Sequence, residues 1–118
     1  IAVYHEYGAD RMVAEVNQGG DLVTTMVRGT DPSVKVVPVR AIRGKSVRAE
    51  PVALLYEQNR VRHRGVFREL EDQMTAMTAR GFLGKGSPDR VDALVWALTD
   101  LVVEPTRRMT GAPAVRPL

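Results

Sequence analysis

The sequence contains no cysteine among its 118 residues. Disulfide bonds and thiolate metal sites are therefore excluded, and an intracellular, cytoplasmic protein is the expectation. The chain also lacks any apolar run near the roughly 20 residues of a membrane span, and no signal-peptide pattern opens it. Histidine is scarce, and His5 and His63 lie far apart in sequence. No histidine metal pair and no membrane partner are predicted.

Basic residues are concentrated in the middle of the chain. Between residues 40 and 68, eight basic residues stand against two acidic ones, so this stretch carries twice the net charge of +3 of the whole chain. Nucleic acid is the first partner that such a concentration indicates. A solvated basic face is the alternative that the charges alone leave open.

Extended and helical segments alternate along the chain. "RMVAEVN" has the pattern of a strand buried on both faces. "SVKVVPVRA" is a second β-rich run, in which Pro38 requires a sheet edge or a strand end, and the charged "RVRHRG" could form a short third strand. This alternation predicts a single small α/β domain with a mostly parallel sheet. The predicted helices cover residues 1–7, 22–28, 46–58, 67–79 and 88–103.

The last predicted helix begins at "SPDRVDALVWAL", with Ser87 as N-cap and Pro88 at the first helical position. Asp89 is explained by the positive end of the helix dipole and lies opposite the apolar face of the helical wheel. Asp92 lies at the border of that face and lacks this explanation. Trp96 lies near Asp92 and is expected to pack against a neighbouring helix. The apolar face is predicted to consist of Val91, Leu94, Val95, Leu98, Leu101 and Val102.

Glu15 stands near the carboxyl end of the first strand, where ligand sites of open α/β sheets collect. Burying this carboxylate is costly unless a cation pairs with it, whereas a glutamate that reaches water needs no partner. If Glu15 and Asp92 converge, Mg²⁺ or Mn²⁺ would relieve their repulsion. Two such ions can cleave a phosphodiester, so acids together with basic residues indicate a nuclease.

Four segments taken together carry a resemblance: "VAEVNQGGDLV", "GKSVRAEPVALLYEQNRVRHRG", "FRELEDQM" and "SPDRVDALVWAL". Over residues 12–103 the chain resembles the C-terminal nuclease domain of the terminase large subunit of tailed bacteriophages and prophages. The resemblance implies an RNase H-like, three-layer α/β/α fold. It also implies a metal-dependent endonuclease that cuts concatemeric phage DNA in the bacterial host cell. The implied partners are double-stranded DNA, an N-terminal ATPase domain, the small terminase subunit and the portal.

In that family three acidic positions hold two Mg²⁺ or Mn²⁺ ions. Glu15 matches the second position, and the start of the last helix matches the third, where this chain has both Asp89 and Asp92. The family pattern does not decide between these two, and the helical wheel favours Asp92 with Asp89 as a helper. No residue matches the first acid, and there is no phosphate-loop motif. We therefore expect an N-terminally truncated domain that lacks the opening hairpin strands and cleaves DNA poorly by itself.

Several further expectations concern the surroundings of these acids. Asn17 is expected to orient Glu15 or a phosphate, while Gly19 and Gly20 allow a sharp turn into the next helix, or serve only as an ordinary turn. Residues 1–104 are expected to form the domain and residues 105–118 a partly flexible tail. An open sheet edge would allow pairing with a second copy of the chain. The residues predicted to bind DNA phosphate are Arg43, Lys45, Arg48, Arg62 and Arg64.

Two other functions remain open from the sequence. One is a non-catalytic DNA-binding or assembly module from a prophage remnant. The other is a different RNase H-like enzyme, such as a resolvase or an integrase. The gene sequence upstream would separate them, because a phosphate-loop ATPase followed by a strand with an aspartate supports the terminase.

Overall fold

The structure, a computed structural model, describes residues 1–16 and 22–105. The described residues combine helices with short strands, which agrees with the α/β organisation predicted from the sequence. None of the described helices is long and apolar enough to cross a membrane. The elements are α1 Ala2–Glu6, β1 Met12–Glu15, α2 Leu22–Thr30, β2 Val36–Val39, α3 Lys45–Glu57, α4 Arg68–Ala76, β3 Met77–Thr78, β4 Gly81–Phe82, α5 Asp89–Leu98 and a π-helical turn Thr99–Val103.

Strands β1 and β2 pair in parallel, as predicted, with Glu15 opposite Val39. The amide of Val16 donates to the carbonyl of Val39 and that of Met12 to the carbonyl of Lys35. The backbone groups of the odd-numbered residues of β2 therefore hydrogen-bond to β1. Pro38 lies between them, and its nitrogen, which has no hydrogen to donate, points away from β1. The prediction that β1 is buried on both faces is wrong, because its residues are half-buried or exposed and its sheet has two strands in the described residues.

The apolar core lies between the helices α3, α4 and α5. Val52 of α3 meets Val91 and Val95 of α5 at its centre, and all three are almost fully buried. The predicted core role of Met74 and Met77 is confirmed, since both pack against this cluster. Because burying a valine contributes on the order of 1.5–3 kcal/mol, this contact fixes α5 against α3.

The connection between α3 and α4 is irregular, so the prediction of a third strand in "RVRHRG" is wrong. His63 instead lies between two side chains, with its Nε2 2.8 Å from the hydroxyl of Tyr56 and its Nδ1 2.7 Å from a carboxylate oxygen of Glu71. The hydrogen bond from His63 lowers the pKa of Glu71. These side-chain bonds hold the segment in place without a partner strand.

Helix α4 ends three residues earlier than predicted, because the chain turns into a small antiparallel hairpin of β3 and β4. The segment "RGFLGKGSP", predicted as a loop, thus contributes Gly81 and Phe82 to a strand. Gly81 has φ +114°, a backbone conformation that favours glycine, and its carbonyl accepts a hydrogen bond from the hydroxyl of Thr78 at 2.9 Å. The apolar spacing from which α4 was predicted gave no indication of the turn between β3 and β4.

The start of α5 differs from the prediction by one residue. Asp89 is the first helical residue, and Pro88 rather than Ser87 is the N-cap. The hydroxyl of Ser87 donates to the carboxylate of Asp89 at 2.6 Å. The free amides of Arg90 and Val91 donate to Oε1 of Gln73 in α4 instead, at 3.0 and 3.1 Å. A side chain of a neighbouring helix thus replaces the predicted cap.

The end of the same helix corrects the predicted apolar face. Val91 and Val95 are buried as expected, but Leu101 is 61% exposed and Val102 is also exposed. After Leu98 the helix widens into the π-helical turn, which has more residues per turn than the 100° wheel assumes. Asp100 turns inward as a result.

Candidate active site

An open groove of about 500 Å³ runs along one face of α5 and past the end of β1. All three acids predicted as metal ligands line it. Glu15 is the last residue of β1, whereas Asp89 and Asp92 are one turn apart at the start of α5. Residues three and four apart share one face of a helix, and this spacing continues along α5. The lining residues are Ala9, Asp10, Arg11, Val13, Glu15, Asp89, Asp92, Ala93, Trp96, Ala97, Asp100 and Leu101.

Glu15 is connected to α5 through Trp96. The indole Nε1 donates a hydrogen bond of 2.9 Å to Oε2 of Glu15, across 81 positions of sequence. Glu15 is exposed to solvent, so the alternative of a carboxylate that reaches water is consistent with its position. The indole bond nevertheless fixes one carboxylate oxygen on the side of the groove that α5 forms.

Asp92 is paired with two cations of α3. Its Oδ1 lies 3.0 Å from Nη2 of Arg48 and its Oδ2 lies 3.5 Å from Nζ of Lys45. The side chains of Asp92 and Arg48 are only 13% and 11% exposed. Charge-assisted hydrogen bonds in such surroundings are stronger than those at an open surface. The packing of α3 on α5 thus compensates the charge of this acid.

Arg48 also contacts Trp96. Its guanidinium carbon lies 4.7 Å from the centre of the indole ring, and its Nε donates to the carbonyl of Arg43 at 3.1 Å. Arg48 therefore touches Asp92 directly and Glu15 through Trp96. The prediction that Trp96 packs against a neighbouring helix agrees with this contact to α3.

Asp89 occupies the solvent side of the groove. It is exposed, and Oδ1 accepts the bond from the hydroxyl of Ser87. The acid side chains are hard oxygen donors, which suit Mg²⁺ or Mn²⁺. Within residues 1–16 and 22–105, however, no three acidic or histidine side chains are close enough together to hold an ion. The donor chemistry fits a divalent cation, while the number of ligands is short of a complete site.

The predicted DNA-binding residues fall into two groups. Arg43, Arg62 and Arg64 are exposed. Lys45 is partly exposed and Arg48 is largely buried, and both are directed to Asp92. The predictions for Asn17, Gly19 and Gly20 lie outside the described residues, as does the predicted tail after residue 105.

The sequence interpretation missed three contacts of the groove. These are the bond from Trp96 to Glu15, the pairing of Arg48 with Asp92, and a largely buried ion pair between Arg11 and Asp100. The four-residue spacing of Asp92 and Trp96 was a usable signal that both share one helix face. Nothing local in the sequence relates α3 or Arg11 to the acids of α5.

A parallel strand–helix–strand unit with acids at the strand end and at a helix start defines an α/β domain with an acid-lined groove. The family model described as the terminase RNaseH-like domain matches residues 1–101, and the chain belongs to this family. The resemblance drawn from the sequence motifs is thereby confirmed. No curated protein and no solved structure matches the chain. Family membership supports a nuclease role in DNA packaging.

Proposed function

We propose that the chain is the nuclease part of a DNA-packaging terminase large subunit, with the three-layer α/β/α fold in the intact domain. It would hydrolyse phosphodiester bonds of concatemeric double-stranded DNA with Mg²⁺ or Mn²⁺. The observation that carries this proposal is the shared groove, which Glu15 of β1 lines together with Asp89 and Asp92 of α5. A strand and a helix distant in sequence bring carboxylates to one open surface.

Glu15 and Asp92 are the proposed metal ligands, and Asp89 is a helper. A bound ion would activate water and stabilise the leaving oxygen. Trp96 holds Oε2 of Glu15, which leaves the other oxygen of that carboxylate for coordination. No three-acid cluster exists in the described residues, and we propose that a further carboxylate, at the first acidic position of the family, completes the site in the intact protein. In the intact protein, the proposed partners of this domain are the ATPase domain, the small terminase subunit and the portal.

The exposed basic residues are proposed to hold the DNA phosphates. Arg43, Arg62 and Arg64 are open to solvent, and Lys45 is exposed enough to reach a phosphate. Contact of Arg48 with DNA would require its bonds to Asp92 and to the carbonyl of Arg43 to break. We therefore assign phosphate binding to the other four predicted residues.

A second candidate function is DNA binding or assembly without catalysis. It is favoured by one observation, namely the incomplete set of metal ligands among the described residues. A nicking assay separates the two candidates. Activity in the full-length subunit that depends on Glu15 supports the nuclease, whereas DNA binding without such activity supports the second candidate.

The test uses a full-length terminase large subunit that contains this domain, supercoiled plasmid and Mn²⁺. Glu15→Ala and Asp92→Asn should each lower the nicking rate by more than about 100-fold, because even residues behind a metal ligand cost 10–100-fold. Asp89→Asn should cost about 10-fold or less. Asp72→Asn is the matched control, since Asp72 is an exposed acid of α4 outside the groove.

Gel-shift assays should show that DNA binding is retained in all four variants. Nicking by Glu15→Ala within about twofold of the unmodified subunit would remove Glu15 from the site. Strong Mn²⁺-dependent nicking by residues 1–118 alone would contradict the requirement for a further acid.

A further inference from the structure

We infer that Arg48 and Trp96 are positioning residues that hold the two proposed metal ligands Glu15 and Asp92 in one arrangement. This inference rests on the proposed nuclease function. It assigns roles to two residues that act through the metal ligands and not on the DNA. The two acids belong to different elements and make no hydrogen bond to each other. A connection through α3 and the indole ring relates their positions.

The connection consists of three consecutive contacts. Trp96 Nε1 donates to Oε2 of Glu15 at 2.9 Å, the guanidinium of Arg48 lies 4.7 Å from the centre of the indole ring, and Arg48 Nη2 bonds to Oδ1 of Asp92 at 3.0 Å. Asp92 and Trp96 are also one turn apart on α5. The contacts therefore close a ring from Asp92 through Arg48 and Trp96 back to α5, with Glu15 attached to the indole.

The chemistry of arginine suits this position. Its planar guanidinium can stack on an aromatic face while its in-plane nitrogens donate hydrogen bonds, whereas a lysine ammonium cannot do both. Arg48 combines both kinds of contact here, because Nε binds the Arg43 carbonyl and Nη2 binds Asp92 while its guanidinium carbon lies over the Trp96 ring. The remaining Nη1 is buried and has no hydrogen-bond partner among the described residues. Arg48 is thus directed into the protein.

The hydrogen bond from the indole N–H limits the motion of the Glu15 side chain, which is otherwise exposed to solvent. A free glutamate side chain has several rotatable bonds, and ordering it on metal binding costs conformational entropy. The bond from Trp96 orders it in advance and leaves Oε1 available. Arg48 and Lys45 meanwhile compensate the charge of Asp92, so that two acids can face one groove.

The test separates the hydrogen bond from packing. Trp96→Phe keeps an aromatic ring beneath Arg48 and removes the N–H donor together with part of the indole ring, and the melting temperature reports the loss of packing. Arg48→Lys keeps the charge and removes the planar fork. Tyr56→Phe is the matched control, since it removes an aromatic hydroxyl that hydrogen-bonds to His63, and neither residue lines the groove. All variants are made in the full-length terminase large subunit.

Plasmid nicking is measured over a range of Mn²⁺ concentrations, together with the melting temperature. Trp96→Phe and Arg48→Lys should each raise the Mn²⁺ concentration for half-maximal nicking by about 10–100-fold, as for residues that orient metal ligands. The rate at saturating Mn²⁺ should recover to within about threefold, because excess metal offsets weaker binding. Because both act on one connection, their effects in the double variant should be smaller than the sum.

A half-maximal Mn²⁺ concentration of Trp96→Phe within about twofold of the unmodified subunit, while Glu15→Ala is inactive, would overturn the inference and leave the proposed nuclease intact. Full activity of Glu15→Ala would overturn both. A lower melting temperature with a rate that saturating Mn²⁺ does not restore would show a purely structural role and also overturn it.

Discussion

The ion pair between Arg11 and Asp100 joins the start of β1 to the π-helical turn at the end of α5. Nε and Nη2 of Arg11 lie 2.7 and 2.6 Å from the same carboxylate oxygen of Asp100, across 89 positions of sequence. The two side chains are only 13% and 8% exposed. Replacement of Arg11 by methionine keeps most of the apolar stem and removes the charge. We predict a large loss of stability from this single change.

The magnitude follows from the burial of the pair. Removing one partner of a buried ion pair costs about 3–5 kcal/mol, because the remaining charge is no longer compensated. Asp100 takes part in a further interaction, so we expect the lower end, about 3 kcal/mol. A small domain is stable by roughly 5–15 kcal/mol, which makes this loss a considerable fraction. The melting temperature should fall by about 12 °C, at about 4 °C per kcal/mol.

Urea unfolding at neutral pH, followed by circular dichroism, measures this loss as a lower midpoint with an unchanged slope. Arg28→Met is the matched control, since Arg28 is exposed on α2, and it should stay within about 0.5 kcal/mol. The double variant Arg11→Met, Asp100→Leu should be more stable than Arg11→Met, since the carboxylate that lost its arginine is removed as well. A loss below about 1 kcal/mol for Arg11→Met, or strictly additive effects in the double variant, would refute the reasoning.

Two further predictions concern the core and acid stability. Val95→Ala should cost about 2 kcal/mol in urea unfolding, whereas Leu101→Ala should stay within about 0.5 kcal/mol; equal losses would place Leu101 in the core and contradict the π-helical turn. The Ser33 hydroxyl, followed by His5, lowers the pKa of Asp31 from its ordinary 3.8 to about 2. A lowered folded-state pKa means that Asp31 stabilises the fold fully above about pH 4 and loses this effect toward about pH 2. The melting temperature of Asp31→Asn should therefore lie below that of the unmodified chain at about pH 5, with a difference that shrinks toward about pH 2; a constant difference would be inconsistent with the shift.

Much of the fold followed from local patterns in the sequence. The alternation in β1 and the apolar spacing of α5 located both elements, and Val91 and Val95 are buried as predicted. The π-helical turn did not follow, because a helical wheel assumes a constant angle per residue. The burial of Asp100 is coupled to Arg11, which lies at the other end of the chain, and no local pattern reports such a contact.

The candidate site was predictable in part for the same reason. Glu15, Asp89 and Asp92 came from a strand end and a helix start, and the structure brings all three to one groove. The partner of Asp92 was not predictable, because a count of charges treats every arginine of the basic stretch alike. Which cation faces inward is decided by the packing of α3 on α5, where Val52 meets Val91 and Val95. Arg48 was therefore predicted among the DNA-binding residues.

The basic stretch thus serves two purposes in the structure. Arg43, Arg62 and Arg64 remain on the surface, whereas Lys45 and Arg48 are directed to an acid of the groove. Carboxylates that share one groove repel each other, and nearby cations reduce this repulsion. These cations belong to α3, so the arrangement of the acids depends on the docking of α3 as well as on β1 and α5. A change in the core beneath α3 should therefore disturb the groove although it touches none of the acids.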